Sequence, residues 1–209
     1  MGLGPRLAPH IRACRDGDWV VFLDLKRDRY SALPYRLEDA ETWRALGVCA
    51  TDDVSGARCS TSLIEVLQRQ DYLAGVDTRG ATWLAPRAAA DGLALLFALF
   101  WARRIVRQKR WDIAVASITT WKARVGEGIG DAAIVTKYEE ARPWFPERRV
   151  CFFDSLSLVA FMLSRGVRAD WVVGVSGRPF SAHCWIEKDG LILNSPNDAC
   201  DEHVEIMRV

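Results

Sequence analysis

The sequence predicts an α+β fold in two parts: a small module of strands and helices, then a larger domain in which helices pack on an antiparallel sheet. Three observations predict it: short β-prone runs between residues 9 and 34, a long helical middle, and a final stretch in which one helix precedes three strand-like runs. Residues 74–87, rich in Gly, Asp, Thr and Pro, are the best linker candidate. We therefore expect one domain over residues 1–80 and a second over residues 81–209.

The first domain is predicted to begin with an antiparallel meander. An Asp-Gly-Asp turn and the charged turn from Lys26 to Arg29 divide residues 9–34 into three strands. Apolar side chains at helical spacing predict helices over Glu38 to Leu46 and Ser60 to Gln70, the second with Ser60 as its N-cap. Three strands followed by helices indicate a winged-helix-like module.

The middle of the chain is predicted to be helical and then irregular. Residues Ala88 to Trp111 favour one long helix, whose basic second half is typical of a solvated face above a buried apolar stripe. Trp121 to Pro146 contains three closely spaced glycines and two prolines, which predicts irregular structure.

Composition limits the classes of function. The 209 residues carry 28 basic and 27 acidic side chains, a net charge of +1, and so lack the broad basic surface that nucleic acid binding requires. The longest apolar run, Gly92 to Ala102, is shorter than the roughly 20 residues of a membrane-spanning helix. The N-terminus has no apolar region typical of a secretory signal. We expect a cytoplasmic protein without stable membrane insertion, whose six cysteines are reduced thiols.

Cys151 stands where a helix is predicted to begin. Cys151 to Val167 has apolar residues at helical spacing, with Gly166 at a C-cap position. At a helix N-terminus the dipole and the unpaired backbone N–H groups favour an anion, which lowers the pKa of a thiol. Alternatively, Cys151 is a buried and inert cysteine.

Three strand-like runs follow this helix and are predicted to form an antiparallel set: residues 169–175, 180–187 and 191–194. A three-residue loop at Lys188 to Gly190 would place His183 opposite Ser195, whereas a two-residue loop would place Asn194 diagonal to His183. Cys184 is expected on the opposite face of the strand from His183 and therefore outside the same site.

A thiol beside an imidazole that a polar group orients is the arrangement of a cysteine acyl-transfer site. The imidazole removes the thiol proton and later protonates the leaving amine, while the third group holds the imidazole tautomer. Cys151 and His183 are the candidates for the first two roles. Cys200 and His203 have a CxxH spacing but lack two further zinc ligands, so no metal site is predicted.

The C-terminal third resembles a known family. The patterns CxxxSLxL, VxGV and PFxAHxWxExDG, followed by LN, are similar to those of the transglutaminase-like peptidase of lasso peptide biosynthesis, the B protein. The residues that carry this resemblance are Cys151, Ser155, Leu156, Leu158, Arg165, Gly166, Val173, Gly174, Val175, Pro179, Phe180, His183, Trp185, Glu187 and Asn194. The N-terminal segment VVFLDLKRDRYSAL resembles the PqqD-like precursor-recognition element of the same pathway. A fused B protein would contain both in this order.

The resemblance implies that the first module binds the leader of a ribosomally made precursor as an added strand. The implied leader-binding residues lie on the third strand and the second helix: Arg29, Tyr30, Ser31, Ala32, Leu33, Leu63 and Leu67. Alternatively, Tyr30, Leu33, Leu63 and Leu67 are core residues.

The resemblance also implies that the second domain has a transglutaminase/papain-like fold and cuts between leader and core. Cys151 would attack the scissile carbonyl, and His183 would act as base and then acid, with water releasing the leader. Lasso peptidases of this type usually carry an aspartate where this chain has Ser195. We expect Asn194 to orient the imidazole in its place, with Asp198 or Ser195 as alternatives.

The implied partners are the precursor peptide and an asparagine-synthetase-like cyclase that uses the freed core amine. No cofactor is implied for the peptidase. Because serine supplies no carboxylate, a non-catalytic precursor-binding adaptor is one alternative function. An acyltransferase that passes the thioester to an amine instead of water is another.

Overall fold

The computed structural model describes residues 6–48, 61–73, 91–125 and 133–209, and it is a mixed α+β fold with two antiparallel sheets. The predicted linker at residues 74–87 and the predicted N-cap Ser60 lie outside the described residues. No helix within the described ranges is both long and apolar enough to cross a lipid bilayer.

The first sheet is the predicted meander. Its strands are adjacent in chain order and antiparallel: β1 (Ile11–Asp16), β2 (Trp19–Asp24) and β3 (Arg29–Pro34). A 3-10 turn, Leu37–Asp39, leads into α1 (Ala40–Ala45), and α2 (Thr61–Arg69) follows. The three strands and the two helices confirm the coarse α+β prediction for this part of the chain.

The meander has two buried faces, because successive side chains of a strand point to opposite sides. Phe22 faces the helices and packs with Trp43 of α1 and Leu67 of α2. Val21 and Leu23 point the other way, into the core of the second part of the chain. The two parts therefore share a core along this sheet.

The helices of the second part are α3 (Asp91–Gln108), α4 (Trp111–Lys122), α5 (Ala133–Ala141) and α6 (Cys151–Ser164), with a 3-10 turn at Arg142–Trp144. The single helix predicted over residues 88–111 ends at Gln108, because Lys109 adopts a positive φ of 53°. The predicted irregular region contains α5, so its glycines and prolines flank a helix. Ten of the 14 residues of α6 are buried, which makes α6 the central helix.

The second sheet has the order β6-β5-β4-β7. Its strands are β4 (Asp170–Gly177), β5 (Phe180–Lys188), β6 (Leu191–Ile192) and β7 (Val204–Arg208), and α7 (Asn197–Asp201) lies between the last two. The first three strands were predicted. The edge strand β7 was not, because only two of its five side chains, Ile206 and Met207, are buried.

Candidate functional site

The thiol of Cys151 stands at the first residue of α6. The residue before it, Val150, is extended with φ −140° and ψ 137°, and no side chain caps the helix. The N–H groups of the first helical turn therefore favour an anion at this end. Cys151 is half-buried.

The buried guanidinium of Arg142 holds the chain that leads into Cys151. Its Nε donates a hydrogen bond of 2.6 Å to Oδ1 of Asp154, in the first turn of α6. Its terminal nitrogens donate to three loop carbonyls: Phe145 at 3.3 Å, Glu147 at 3.1 Å and Arg148 at 3.1 Å. The role of this residue was not predicted, because no local sequence pattern distinguishes a buried arginine from an exposed one.

Cys151 lies beside the outer edge of β5. The short strand β6 pairs with the last two residues of β5, and the Leu193 N–H then donates to the Ile186 carbonyl at 2.9 Å. Asn194 Oδ1 accepts the N–H of Ile186 at 2.7 Å. Backbone groups of alternate residues in a strand point the same way, so the Cys184 N–H is directed to the same edge. This N–H is one of the groups that lower the pKa of the Cys151 thiol.

The surroundings lower the pKa of the Cys151 thiol to about 5. The largest cause is a hydrogen bond from the Cys184 thiol, and burial acts in the opposite direction. The backbone N–H of Cys184 and the hydrogen bond and charge of His183 lower the pKa further. Near neutral pH the sulfur is therefore a thiolate, the form that attacks a carbonyl.

His183 connects this thiolate to Ser195. The Nε2 atom of His183 lies 2.7 Å from Oγ of Ser195. Because Ser195 occupies Nε2, Nδ1 is the ring nitrogen left for the Cys151 sulfur. The imidazole also lies against the ring of Trp185, with centroids 6.0 Å apart. The predicted pair of Cys151 and His183 is thus brought together.

Asn194 was expected to orient the His183 imidazole, but the structure places its side chain elsewhere. Asp189 and Gly190 both have positive φ, 52° and 77°, which makes a two-residue hairpin loop. The Leu193 N–H still donates to the Ile186 carbonyl at 2.9 Å, and the Asn194 side chain then binds the strand edge while Ser195 meets the imidazole. Among the described residues, no hydrogen bond or ion pair joins His183 to the other candidate, Asp198 of α7.

Cys184 belongs to the site, contrary to the expectation from strand alternation. Its side chain does face the core cluster beneath α6, while His183 lies on the other face with Trp185. Cys151 stands at the edge of the strand, however, where residues of both faces reach it. Alternation predicted the faces correctly, but it carries no information about what lies beside the edge.

The residues implied for leader binding are divided between the two cores. Leu63 and Leu67 are buried between β2 and α2, and Leu33 packs against the same cluster. Ser31 Oγ lies 2.5 Å from the hydroxyl of Tyr72. Arg29 and Ala32 are exposed. Among the described strands β3 pairs with β2 alone, so its outer edge is open.

Tyr30 links β3 to the thiol site. Its ring lies 5.3 Å from the ring of Phe180 and 6.3 Å from that of Trp111. Burial raises the pKa of the Tyr30 hydroxyl, and the charge at Cys151 acts in the same direction. The start of β3 therefore lies close to the candidate nucleophile.

His203, of the CxxH pair with Cys200, binds neighbouring protein groups. Nδ1 of His203 donates to the carbonyl of Ala199 at 2.7 Å, and its Nε2 lies 2.9 Å from Oγ of Ser181. Burial raises the pKa of the Cys200 thiol. In the described part of the chain, no group of three or more His, Cys, Asp or Glu side chains is placed to hold a metal ion.

Comparison with known proteins identifies a family over the region that contains the candidate site. The family model described as Transglutaminase-like superfamily matches residues 93–208, more than half of the 209-residue chain. The matched range contains Cys151, His183 and Ser195. No curated protein and no solved structure gave a match.

Proposed function

Since the chain belongs to the transglutaminase-like superfamily, we propose that it is a cysteine peptidase that removes the leader from a lasso peptide precursor. The observation that carries the proposal is the half-buried thiol of Cys151, with its lowered pKa, in contact with an imidazole that Ser195 holds. This pair is the chemical requirement for acyl transfer through a thioester.

The proposed reaction has two steps. The Cys151 sulfur attacks the scissile carbonyl, and the His183 imidazolium gives its proton to the leaving core amine as the carbon–nitrogen bond breaks. His183 then takes a proton from water, whose oxygen attacks the thioester and releases the leader as a carboxylate. The uncapped N–H groups of α6 are suited to stabilise the oxyanion in each step.

The open edge of β3 supports a role in holding the leader. The Tyr35 N–H donates to the carbonyl of Asp18, just before β2, so by alternation the N–H groups of Leu33 and Ser31 also face β2. Those of Ala32 and Tyr30 then point to the open edge, where an added strand binds. Because Tyr30 is close to the thiol, a leader bound there has one end beside Cys151.

The core peptide released by cleavage is a suitable substrate for a second proposed partner, a cyclase. Cleavage leaves the core peptide with a free amine, the nucleophile that an asparagine-synthetase-like cyclase needs to form a macrolactam. We therefore place the precursor peptide and such a cyclase as the partners of this chain.

Incubation of the protein with a synthetic leader–core precursor, with and without a cyclase and ATP, tests the function. Mass spectrometry should show two fragments whose masses add up to the precursor plus one water, and neither should form with Cys151→Ala. Conversion should fall at least about 100-fold with His183→Ala, since general acid–base catalysis contributes about 10²–10⁴-fold.

Two outcomes separate the alternatives. A product that carries the mass of an added amine identifies an acyltransferase. Processing that persists in Cys151→Ala identifies a precursor-binding adaptor, for which the missing carboxylate at Ser195 is the motivating observation. Cys14→Ala, which changes a buried cysteine of β1, is the control for the loss of a thiol as such.

A further inference from the structure

We propose that His203 is a positioning residue: its side chain fastens the segment that begins with Ser195 to β5, and so keeps the Ser195 hydroxyl on the His183 imidazole. We call residues 195–203 the crossover segment. The inference rests on the proposed function in one respect, that His183 is the catalytic imidazole.

The crossover segment passes over the face of the second sheet that carries His183. In the order β6-β5-β4-β7 the chain leaves β6 at one edge of the sheet and returns as β7 at the other. Its first residue, Ser195, follows Leu193 and Asn194, which bind the edge of β5, and its last residue directly precedes β7. The segment therefore spans the width of the sheet, and side-chain contacts hold it on this face.

Both ring nitrogens of His203 take part in these contacts. Nδ1 donates to the carbonyl of Ala199 in α7 at 2.7 Å, so the proton of a neutral ring is on Nδ1. Nε2 lies 2.9 Å from Oγ of Ser181, whose hydroxyl then donates to it. Ser181 stands two residues before His183 on β5, so the two side chains lie on the same face of the strand. His203 thus ties the end of the crossover segment to the strand that carries the imidazole.

The ring of His203 also packs against the imidazole of His183. The two ring centroids are 5.7 Å apart, and the ring of Trp185 lies 6.0 Å from the same imidazole. Gly174 is the partner of His183 in the ladder between β4 and β5. A Cβ at Gly174 would lie 2.8 Å from Cβ of His203 and 2.8 Å from Cη2 of Trp185. The missing side chain at Gly174 therefore makes room for His203 beside the imidazole.

The position of the crossover segment matters because Ser195 is held to His183 by a single hydrogen bond of 2.7 Å. In the proposed mechanism the His183 imidazolium donates its Nε2 proton to the Ser195 oxygen. A bond between a side chain and a loosely held segment loses much of its strength to the entropy of ordering that segment. Because His203 fixes the far end of the segment, less entropy is lost when Ser195 orients the imidazole.

Proton NMR of the full chain at neutral pH tests the proposal. The chain has three histidines, and Ser195→Ala identifies the Nε2 proton of His183 because it removes the acceptor. In the wild type this proton should give a separate low-field signal, since the hydrogen bond slows its exchange with water. Ser181→Ala should speed the exchange about 2- to 10-fold, the range expected for the loss of one hydrogen bond. His203→Ala should speed it at least as much, and saturation transfer from water measures all these rates.

Matched variants separate the hydrogen bond from packing. Ser181→Thr keeps the hydroxyl and should restore the wild-type exchange rate. Ser164→Ala, which removes a hydroxyl bound to the Phe161 carbonyl within α6, should leave the rate unchanged. With a precursor, Ser181→Ala should lower kcat for cleavage about 2- to 10-fold and leave KM unchanged. Adding Ser181→Ala to Ser195→Ala should lower kcat no further, because the anchor acts through Ser195.

The proposal is overturned if the Nε2 proton exchanges at the same rate in Ser181→Ala, His203→Ala and the wild type, or if the wild type lacks the signal. It is also overturned if Ser181→Thr behaves like Ser181→Ala, or if the double variant loses further activity. The NMR measurement needs no peptide. A signal that responds to Ser181→Ala in a protein that cuts no precursor refutes the proposed function and leaves the positioning role of His203 intact.

Discussion

Ser195, whose hydroxyl lies 2.7 Å from Nε2 of His183, is the most consequential single residue of the site after the thiol and the imidazole. Ser195 reaches Nε2 of His183, while the preceding Asn194 side chain binds the Ile186 N–H at the strand edge. The Ser195 hydroxyl brings no negative charge to the imidazole. The hydroxyl can orient the imidazole ring, but it cannot stabilise the imidazolium cation as a carboxylate would.

Ser195→Asp is expected to raise kcat/KM for precursor cleavage about 10-fold, because a charge-assisted hydrogen bond stabilises the imidazolium more than a neutral one does. Ser195→Ala should lower kcat/KM about 2- to 10-fold through loss of an orienting bond worth about 0.5–1.5 kcal/mol. Steady-state cleavage kinetics measure both changes. Equal activity in Ser195→Ala and the wild type would show that the hydroxyl has no orienting role.

At the scale of elements, the buried ion pair of Arg142 and Asp154 fixes the N-terminus of α6. Arg142 is 2% exposed in its side chain, and the pair with Asp154 lies next to the hydrogen bonds that Tyr138 makes with the Asp154 carbonyl and with Ser157. The helix thus begins at a residue whose position is determined by groups on α5 and the following turn. Hydrophobic burial of α6 against the sheet does not by itself specify where along its axis the thiol stands.

Asp154→Ala should lower the free energy of unfolding by about 3–5 kcal/mol, because it leaves the Arg142 guanidinium buried without a counter-ion. Glu139→Ala is the matched control: its partner Arg149 is exposed, and loss of such a pair costs about 0–1 kcal/mol. Urea denaturation of both variants measures the difference. Losses of equal size would show that the Arg142 pair contributes no more than a surface pair.

At the scale of the whole molecule, the meander belongs to both halves. Its Val21 and Leu23 enter the core beneath α6, and the Asp16 carboxylate of β1 accepts the N–H of Gly177 at the end of β4. A Cβ at Gly177 would lie 2.7 Å from the Asp16 carboxylate oxygen, so a side chain there would displace this carboxylate. The open edge of β3 and the thiol thus belong to one packed body, which supports their use on one peptide.

Ala32→Pro should weaken leader binding about 10-fold or more, because it removes an N–H from the open edge of β3 and adds a ring there. The ladder to β2 should stay intact, since the Ala32 N–H does not face β2. Ala32→Val, at the same exposed position, keeps the donor and should bind like the wild type. Fluorescence anisotropy of a labelled leader peptide measures all three proteins, and unchanged affinity in Ala32→Pro would exclude strand addition at this edge.

Local chemistry in the sequence determined the meander, the central helix with Cys151 at its first residue, and the strand that carries His183. Periodicity, turn residues and caps act over a few residues, and they specify elements and faces. They also specified that Cys184 faces away from His183, which the structure confirms.

Only the tertiary structure decided which groups meet. Whether Asn194 or Ser195 reaches the imidazole depends on one residue of hairpin loop and on where the strand ends, and Cys184 joins the site because α6 brings a sulfur to the open edge of β5. The buried Arg142 likewise acquires its role from carbonyls that only the folded loop gathers. Contacts of this kind arise between segments distant in the chain, where small shifts in register change the partner while the local pattern remains the same.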